Sequence, residues 1–165
     1  MATSQDTRYH EAAHAVTALK LGIGLKEEGM ILNSDEDAWV EVADIPEDGA
    51  DENWFIRRVA VKLAGPVASI QQRGEVLEWD TLKYRAEFHD DFECSLCLLD
   101  TFWERVGTSA CSDQIENQMQ RAACIATECV NDNKVLILEI TKAAADKDRF
   151  SRSEILAIMN ACSPV

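Results

Sequence analysis

Apolar positions recur along this chain mostly at helical intervals. From Asp6 or Thr7 to about Leu21, the residues Ala12, Ala13, Ala15, Val16 and Leu19 outline one packed amphipathic helix. Ser4 or Asp6 can cap its start, Lys20 lies in its last turn, and Gly22 stands just beyond. Gly29–Asn33 and Ala38–Ala43 are short runs rich in Ile, Val, Leu and Trp, separated by the polar Ser34-Asp35-Glu36-Asp37; they predict a hairpin or two edge strands. Ile45-Pro46 ends that region, because a residue before proline is pushed towards extended geometry. A second helix is expected over Glu52–Arg73, with Phe55, Val59, Leu63, Val67 and Ile70 near helical spacing and Gly65-Pro66 kinking or dividing it. The segment Glu75–Phe88 has no decisive period. Further helices are expected at Asp90–Val106, stopping at Gly107, then at Asp113–Val130 and Lys134–Ala145, joined through Asn131-Asp132-Asn133. A last one opens with the capping box Ser151-Arg152-Ser153-Glu154, whose serine and glutamate satisfy free amides reciprocally. No repeat, low-complexity tract or Pro/Gly/Ser linker interrupts the pattern. The expectation is therefore a single domain over residues 1–165, a mainly α helical bundle with a small β-sheet or hairpin.

Charge narrows the partners. Thirty acidic residues against sixteen basic ones give a net charge of −14, a field that repels phosphate backbones and anionic lipid surfaces. Neither nucleic acid nor membrane is expected as a partner. No stretch reaches the apolar length of a bilayer span, and the N-terminal residues show neither a basic start nor a hydrophobic run, so a cytoplasmic protein is expected. In that setting the six cysteines are expected to be reduced and mostly buried thiols.

Candidate chemistry is concentrated in the first helix, in His10-Glu11-Ala12-Ala13-His14. Histidines at i and i+4 lie one turn apart on one face, where two imidazoles can grip one metal ion. Zinc is the expected metal, since it takes neutral imidazole readily and needs no redox partner. Glu11 points to an adjacent face, from which it can reach water at the metal without ligating the ion and act as general base. The bland alternative is a helix carrying two core or surface histidines; against it, two of only three histidines in the chain fall in this motif. A third protein ligand is required. The extended motif that places a glycine and a third histidine downstream is excluded, because Thr17 and Lys20 occupy those positions. A glutamate on a directly following helix fits poorly, since Glu27–Glu41 reads as loop and strand.

Tyr9-His10-Glu11-Ala12-Ala13-His14-Ala15-Val16 resembles the protease domain of the FtsH family of ATP-dependent zinc metalloproteases. The resemblance runs over nearly the whole chain. It continues through a small sheet at Gly29–Ala43 and the small-residue step Leu63-Ala64-Gly65-Pro66-Val67-Ala68. It extends to a helix opening at Asp90-Asp91-Phe92 and to paired C-terminal helices over Glu116–Met159. It implies an FtsH-protease-like fold, a Zn2+ cofactor bound by His10, His14 and Asp91, and Glu11 as the catalytic base. Asp90 and His89 are the neighbours that compete with Asp91 as third ligand, because Glu87-Phe88-His89 replaces the family's Gly-Ala-Ser run. A carboxylate at a helix start can also swing towards a second helix, which favours Asp91 on physical grounds. The resemblance further implies that the strand bearing Trp39, Val40 and Glu41 borders the active site and pairs with an extended substrate.

The function expected is that of a zinc metallopeptidase acting on peptides or unfolded protein segments, with the net charge biasing it against acidic substrates. No phosphate-binding Gly-x-x-x-x-Gly-Lys-Ser/Thr occurs in these residues, so any ATP dependence would come from a separate ATPase partner; a homo-oligomer would follow the family. The alternative is a non-catalytic regulatory or binding module that keeps the fold and the zinc. Cys94-Ser95-Leu96-Cys97 lacks the second CxxC of a zinc ribbon, so its thiols are expected to be small buried residues, with Cys94 one turn from Asp91.

Overall fold

The structure, a computed structural model, describes residues 3–162. Its frame is helical: α1 (Gln5–Lys20), α2 (Glu52–Gln72), the short α3 (Trp79–Tyr84), α4 (His89–Val106), α5 (Ser112–Asp132), α6 (Lys134–Ala143) and α7 (Arg152–Cys162). Three antiparallel strands, β1 (Leu25–Leu32), β2 (Ala38–Val42) and β3 (Arg149–Phe150), form one small sheet in the order β2-β1-β3. The mainly α architecture with a small sheet is as expected. No described helix is long and apolar enough to cross a membrane.

Helix α1 starts where the sequence suggested. The Ser4 hydroxyl accepts from the Thr7 amide at 3.1 Å, replacing one of the free donors of a helix start. It is not amphipathic, however. Every residue from Glu11 to Ala18 is buried, because α1 packs against α2, α6 and the sheet at once. A helix covered on all sides has no polar face to show, and the small Ala side chains let its neighbours approach closely.

Pro66 does not divide α2. The helix runs unbroken from Glu52 to Gln72, capped by the Asp51 carboxylate on the Trp54 amide at 2.8 Å. A mid-helix proline removes one bond, here to the Lys62 carbonyl, at a cost of about 3 kcal/mol. Against that stand fourteen buried α2 residues, including Trp54, Phe55, Ile56, Leu63 and Ile70. Each large apolar side chain contributes about 1.5–3 kcal/mol on burial, so packing against α1, α4 and α5 outweighs the lost bond.

Strand β1 begins four residues earlier than its apolar run, and its register with β2 slips between Leu25 and Met30. Gly29 sits in that irregularity at φ +68°, and a β-carbon there would run into the backbone of Phe150–Arg152. This close approach lets the two-residue β3, which the sequence did not announce, pair with Met30 and Ile31. Glu75–Phe88 resolves into α3 and a single 3₁₀ turn at Ala86–Phe88. The capping box of α7 forms as expected: the Ser151 amide donates to Glu154 at 2.8 Å, and the Glu154 amide to the Ser151 hydroxyl at 3.4 Å.

The cysteines overturn their expectation. All six are free, but only Cys129 is buried; Cys94, Cys97, Cys111, Cys124 and Cys162 are exposed. The cause is helix phase. The buried stripe of α4 is Phe92, Ser95 and Leu99, and that of α5 passes through Met119, Ala122, Ala126 and Val130. Cys94, Cys97 and Cys124 fall outside these stripes.

Candidate metal centre

Three helices meet at the site. The i, i+4 spacing brings His10 and His14 of α1 to the face that packs on α2, and the first turn of α4 delivers Asp91. Asp91 Oδ2 lies 3.0 Å from His10 Nε2 and 3.4 Å from His14 Nε2, and the two Nε2 atoms are 3.0 Å apart. Asp90 and His89, its neighbours, are exposed and take no part in this cluster. Among the described residues it is the one group of three or more His, Cys, Asp or Glu whose ligand atoms converge.

Helix α2 builds the other half of the site with a stripe at i, i+4 and i+8. The carbonyl of Val61 accepts from His14 Nδ1 at 2.6 Å, Gly65 faces both rings, and Ser69 Oγ shares a hydrogen bond of 3.0 Å with His10 Nδ1. A carbonyl can only accept, so the His14 proton resides on Nδ1 and its Nε2 presents a lone pair. A β-carbon at Gly65 would overlap the Nε2 atoms of both histidines. Gly65 therefore makes the room in which the three donor atoms meet.

The donor set fits a divalent ion. Two imidazole nitrogens and a carboxylate oxygen face one another at 3.0–3.4 Å, so either a ring proton or a cation must lie between them. A tetrahedral zinc with bonds of about 2.0–2.1 Å holds its ligand atoms about 3.3 Å apart, so the triangle already has the right size. The Nδ1 partners supply the outer support that metal-binding histidines ordinarily have. Burial would raise the Asp91 carboxyl, but the His14 and His10 imidazoles outweigh burial and hold it far below the usual carboxylate range. Its second oxygen, Oδ1, faces Lys62 Nζ at 3.8 Å.

Glu11 lies beside the cluster, 7% exposed, with no hydrogen-bond or ion-pair partner among the described residues. Burial pushes its carboxyl up to about 7; His10 and Lys62 pull it down and Asp91 adds to the rise. It lines an open cleft of about 530 Å³ together with the three converging side chains. Strand β2 forms one wall of that cleft. Trp39 and Val40 line it, whereas Glu41 does not: its carboxylate accepts from Trp39 Nε1 at 2.8 Å outside the cleft. Because β1 covers only one side of β2, the other edge of that strand is unpaired among the described residues.

Sequence reasoning missed Val61, Lys62, Gly65 and Ser69. The signal was present in part, since Val61, Gly65 and Ser69 form an i, i+4, i+8 row of small or compact residues. Nothing in the row, though, says that it faces histidines. No protein-family model matches this chain, and no curated protein matches it significantly.

Proposed function

We propose that this protein is a zinc-dependent peptidase that hydrolyses peptide bonds in peptides or unfolded protein segments. The observation that carries the reading is geometric: His10 Nε2, His14 Nε2 and Asp91 Oδ2 converge within 3.0–3.4 Å of one another, with the buried Glu11 beside them in one cleft. Asp91 is held ionised against two imidazoles, while the buried, unpartnered Glu11 is pushed up to about 7. Environments that drive neighbouring carboxyl groups apart in this way separate a ligand from an acid–base group.

His10 and His14 would bind the metal through Nε2 and Asp91 through Oδ2, each oriented by its outer partner. Bound there, zinc would supply Lewis acidity, lowering the pKa of water in the site to about 7 and polarising a carbonyl. Glu11 takes the proton from the attacking water at its carboxylate and passes it to the departing amide nitrogen. An extended substrate lies along the free edge of β2, hydrogen-bonding through its backbone, which tolerates varied sequence. The resemblance to FtsH protease domains supports the same reading. It adds to the proposal a homo-oligomer and a separate ATPase that supplies unfolded chain.

The test combines zinc analysis with cleavage of a labelled unfolded polypeptide by wild type and Glu11→Gln. One zinc per chain is expected in both, with kcat reduced about 10²–10⁴-fold in the variant. Zinc without cleavage in the wild type would instead make the protein a non-catalytic binding module. Failure to bind zinc would refute both.

A further inference from the structure

Two cationic side chains, Lys62 and Arg73, line the cleft against seven carboxylates. Arg73 is engaged by Glu87 at 2.6 Å. Lys62 is held far less closely. Its Nζ lies 3.8 Å from Asp91 Oδ1, outside the span of a charge-assisted hydrogen bond, about 2.7–2.9 Å. No hydrogen bond or second ion pair engages the ammonium among the described residues. It is the His14 and His10 imidazoles that hold Asp91 ionised. Lys62 therefore keeps free N–H donors at the cluster. Helix α2 fixes its place: Lys62 follows Val61, whose carbonyl orients His14, and its side chain is only 29% exposed. It lines the cleft together with Glu11, whose carboxyl feels its charge.

We infer that Lys62 is a further catalytic residue, whose ammonium donates to the scissile carbonyl oxygen as that oxygen gains negative charge. The inference rests on the peptidase reading. As water adds to the carbonyl carbon, a C–O bond forms, one C=O electron pair moves onto the oxygen, and Glu11 takes the water proton. As the C–N bond breaks, that pair rebuilds the carbonyl and the proton on Glu11 goes to the amine nitrogen. Lys62 keeps its protons throughout and acts as charge and donor. The cleft gives such a group particular value. A negative oxygen built among seven carboxylates is repelled by them, and Lys62 is the one lining cation that no carboxylate holds closely. The geometry fits as well. Asp91 turns Oδ2 to the histidines and Oδ1 to Lys62, so the ammonium stands one carboxylate's width outside the triangle of donor atoms. A carbonyl oxygen polarised at that triangle lies within reach of a flexible four-carbon stem.

Binding of a charged mimic, read beside cleavage, lets this inference and the peptidase reading fail separately. Zinc-loaded wild type, Lys62→Met and Lys62→Arg are titrated by calorimetry with a phosphinic peptide, whose tetrahedral anionic group imitates the charged oxygen. The plain peptide of the same sequence is titrated into Glu11→Gln with and without Lys62→Met. Lys62→Met is expected to lower kcat about 10²–10³-fold, the effect of losing one oxyanion donor. It should weaken the phosphinic peptide at least about tenfold and the plain peptide less than about threefold, because the contact forms with charge. Lys62→Arg keeps the charge and should recover part of both losses. Zinc affinity should not fall in Lys62→Met, since removing an ammonium beside the site removes a repulsion. Retained zinc also reports a folded variant, and Lys62→Gln replaces it if methionine is not tolerated. Equal binding of the phosphinic peptide by wild type and Lys62→Met overturns the inference, whether or not polypeptide is cleaved. A loss of zinc affinity of about 10–100-fold overturns it too, because Lys62 would then only position Asp91. Phosphinate binding that depends on Lys62, in a wild type that cleaves nothing, upholds the donor role and removes the peptidase reading instead.

Discussion

Helices α1 and α4 both contribute to the candidate metal centre, yet they are opposite kinds of helix. Eight consecutive residues of α1 are buried, whereas α4 buries only Phe92, Ser95 and Leu99 along its eighteen residues. The histidines are thus set in a helix that cannot shift without disturbing α2, α6 and the sheet. Asp91 sits at the first turn of a peripheral helix that follows the Trp79–Phe88 segment, in which only Leu82 and Phe88 are buried. One side of the site is fixed by the core, and the other is brought up to it. Changes on α4 should therefore alter the site and leave the fold alone, while changes behind α1 should do both.

The largest effect expected from this contrast is at Asp91. Asp91→Ala removes one of three donors and should lower zinc affinity by more than about 100-fold, since loss of an outer partner alone costs 10–100-fold. Asp90→Ala, one residue away on the exposed side, should change it less than about threefold. Competition with a chelating dye measures both, and the reverse order would place Asp90 in the ligand set.

Gly65→Ala probes the packed side. In an isolated helix, alanine is favoured over glycine by about 1 kcal/mol. Here its β-carbon would push apart the Nε2 atoms of His10 and His14, and overpacking costs about 1–3 kcal/mol. These terms nearly cancel in the metal-free protein, so its stability should change by less than about 2 kcal/mol. Zinc affinity should still fall about 10–100-fold. Thermal denaturation with and without zinc separates the two quantities; equal loss in both would mean that Gly65 serves only helix packing.

What could be read beforehand follows the same division. The HExxH spacing, the Ser4 cap, the Gly107 stop and the Ser151–Glu154 box are local, each fixed by residues within one or two turns, and all appear in the structure. The residue that meets the two histidines is not local. Which of His89, Asp90 and Asp91 stands beside them depends on the rotation of α4 against α1, and in the structure it is Asp91. The same rotation decides which thiols are buried, and there the expectation failed, because cysteine is small enough to sit on either face. The continuity of α2 through Pro66 was equally hidden, since packing from three neighbouring helices outweighs a local penalty. Strand β3 has two residues and no period to read; it exists because Gly29 lets that backbone come close.

A smaller effect distinguishes the two histidines. His14 is oriented by a backbone carbonyl, which no substitution removes, whereas His10 depends on the Ser69 hydroxyl. Ser69→Ala should therefore lower zinc affinity about tenfold, the lower end of the range for an outer partner. Ser69→Thr, which keeps the hydroxyl, should recover part of that loss. An unchanged affinity in Ser69→Ala would mean that the α1–α2 packing alone holds the His10 ring.

The smallest effect belongs to the outer face of α4. Cys94 lines the cleft one turn beyond Asp91, but it is exposed and its sulfur is not in the converging group. Three protein ligands are the usual complement of a catalytic zinc, so a fourth would close the position that water must occupy. Cys94→Ser should change zinc affinity less than about twofold, and Cys97→Ser likewise. In the native protein, a thiol reagent should modify the five exposed cysteines rapidly and Cys129 only on unfolding. Protection of Cys94 by zinc, together with a tenfold loss of affinity in Cys94→Ser, would break the comparison: α4 would then hold the metal through two side chains, and the site would be closed rather than open.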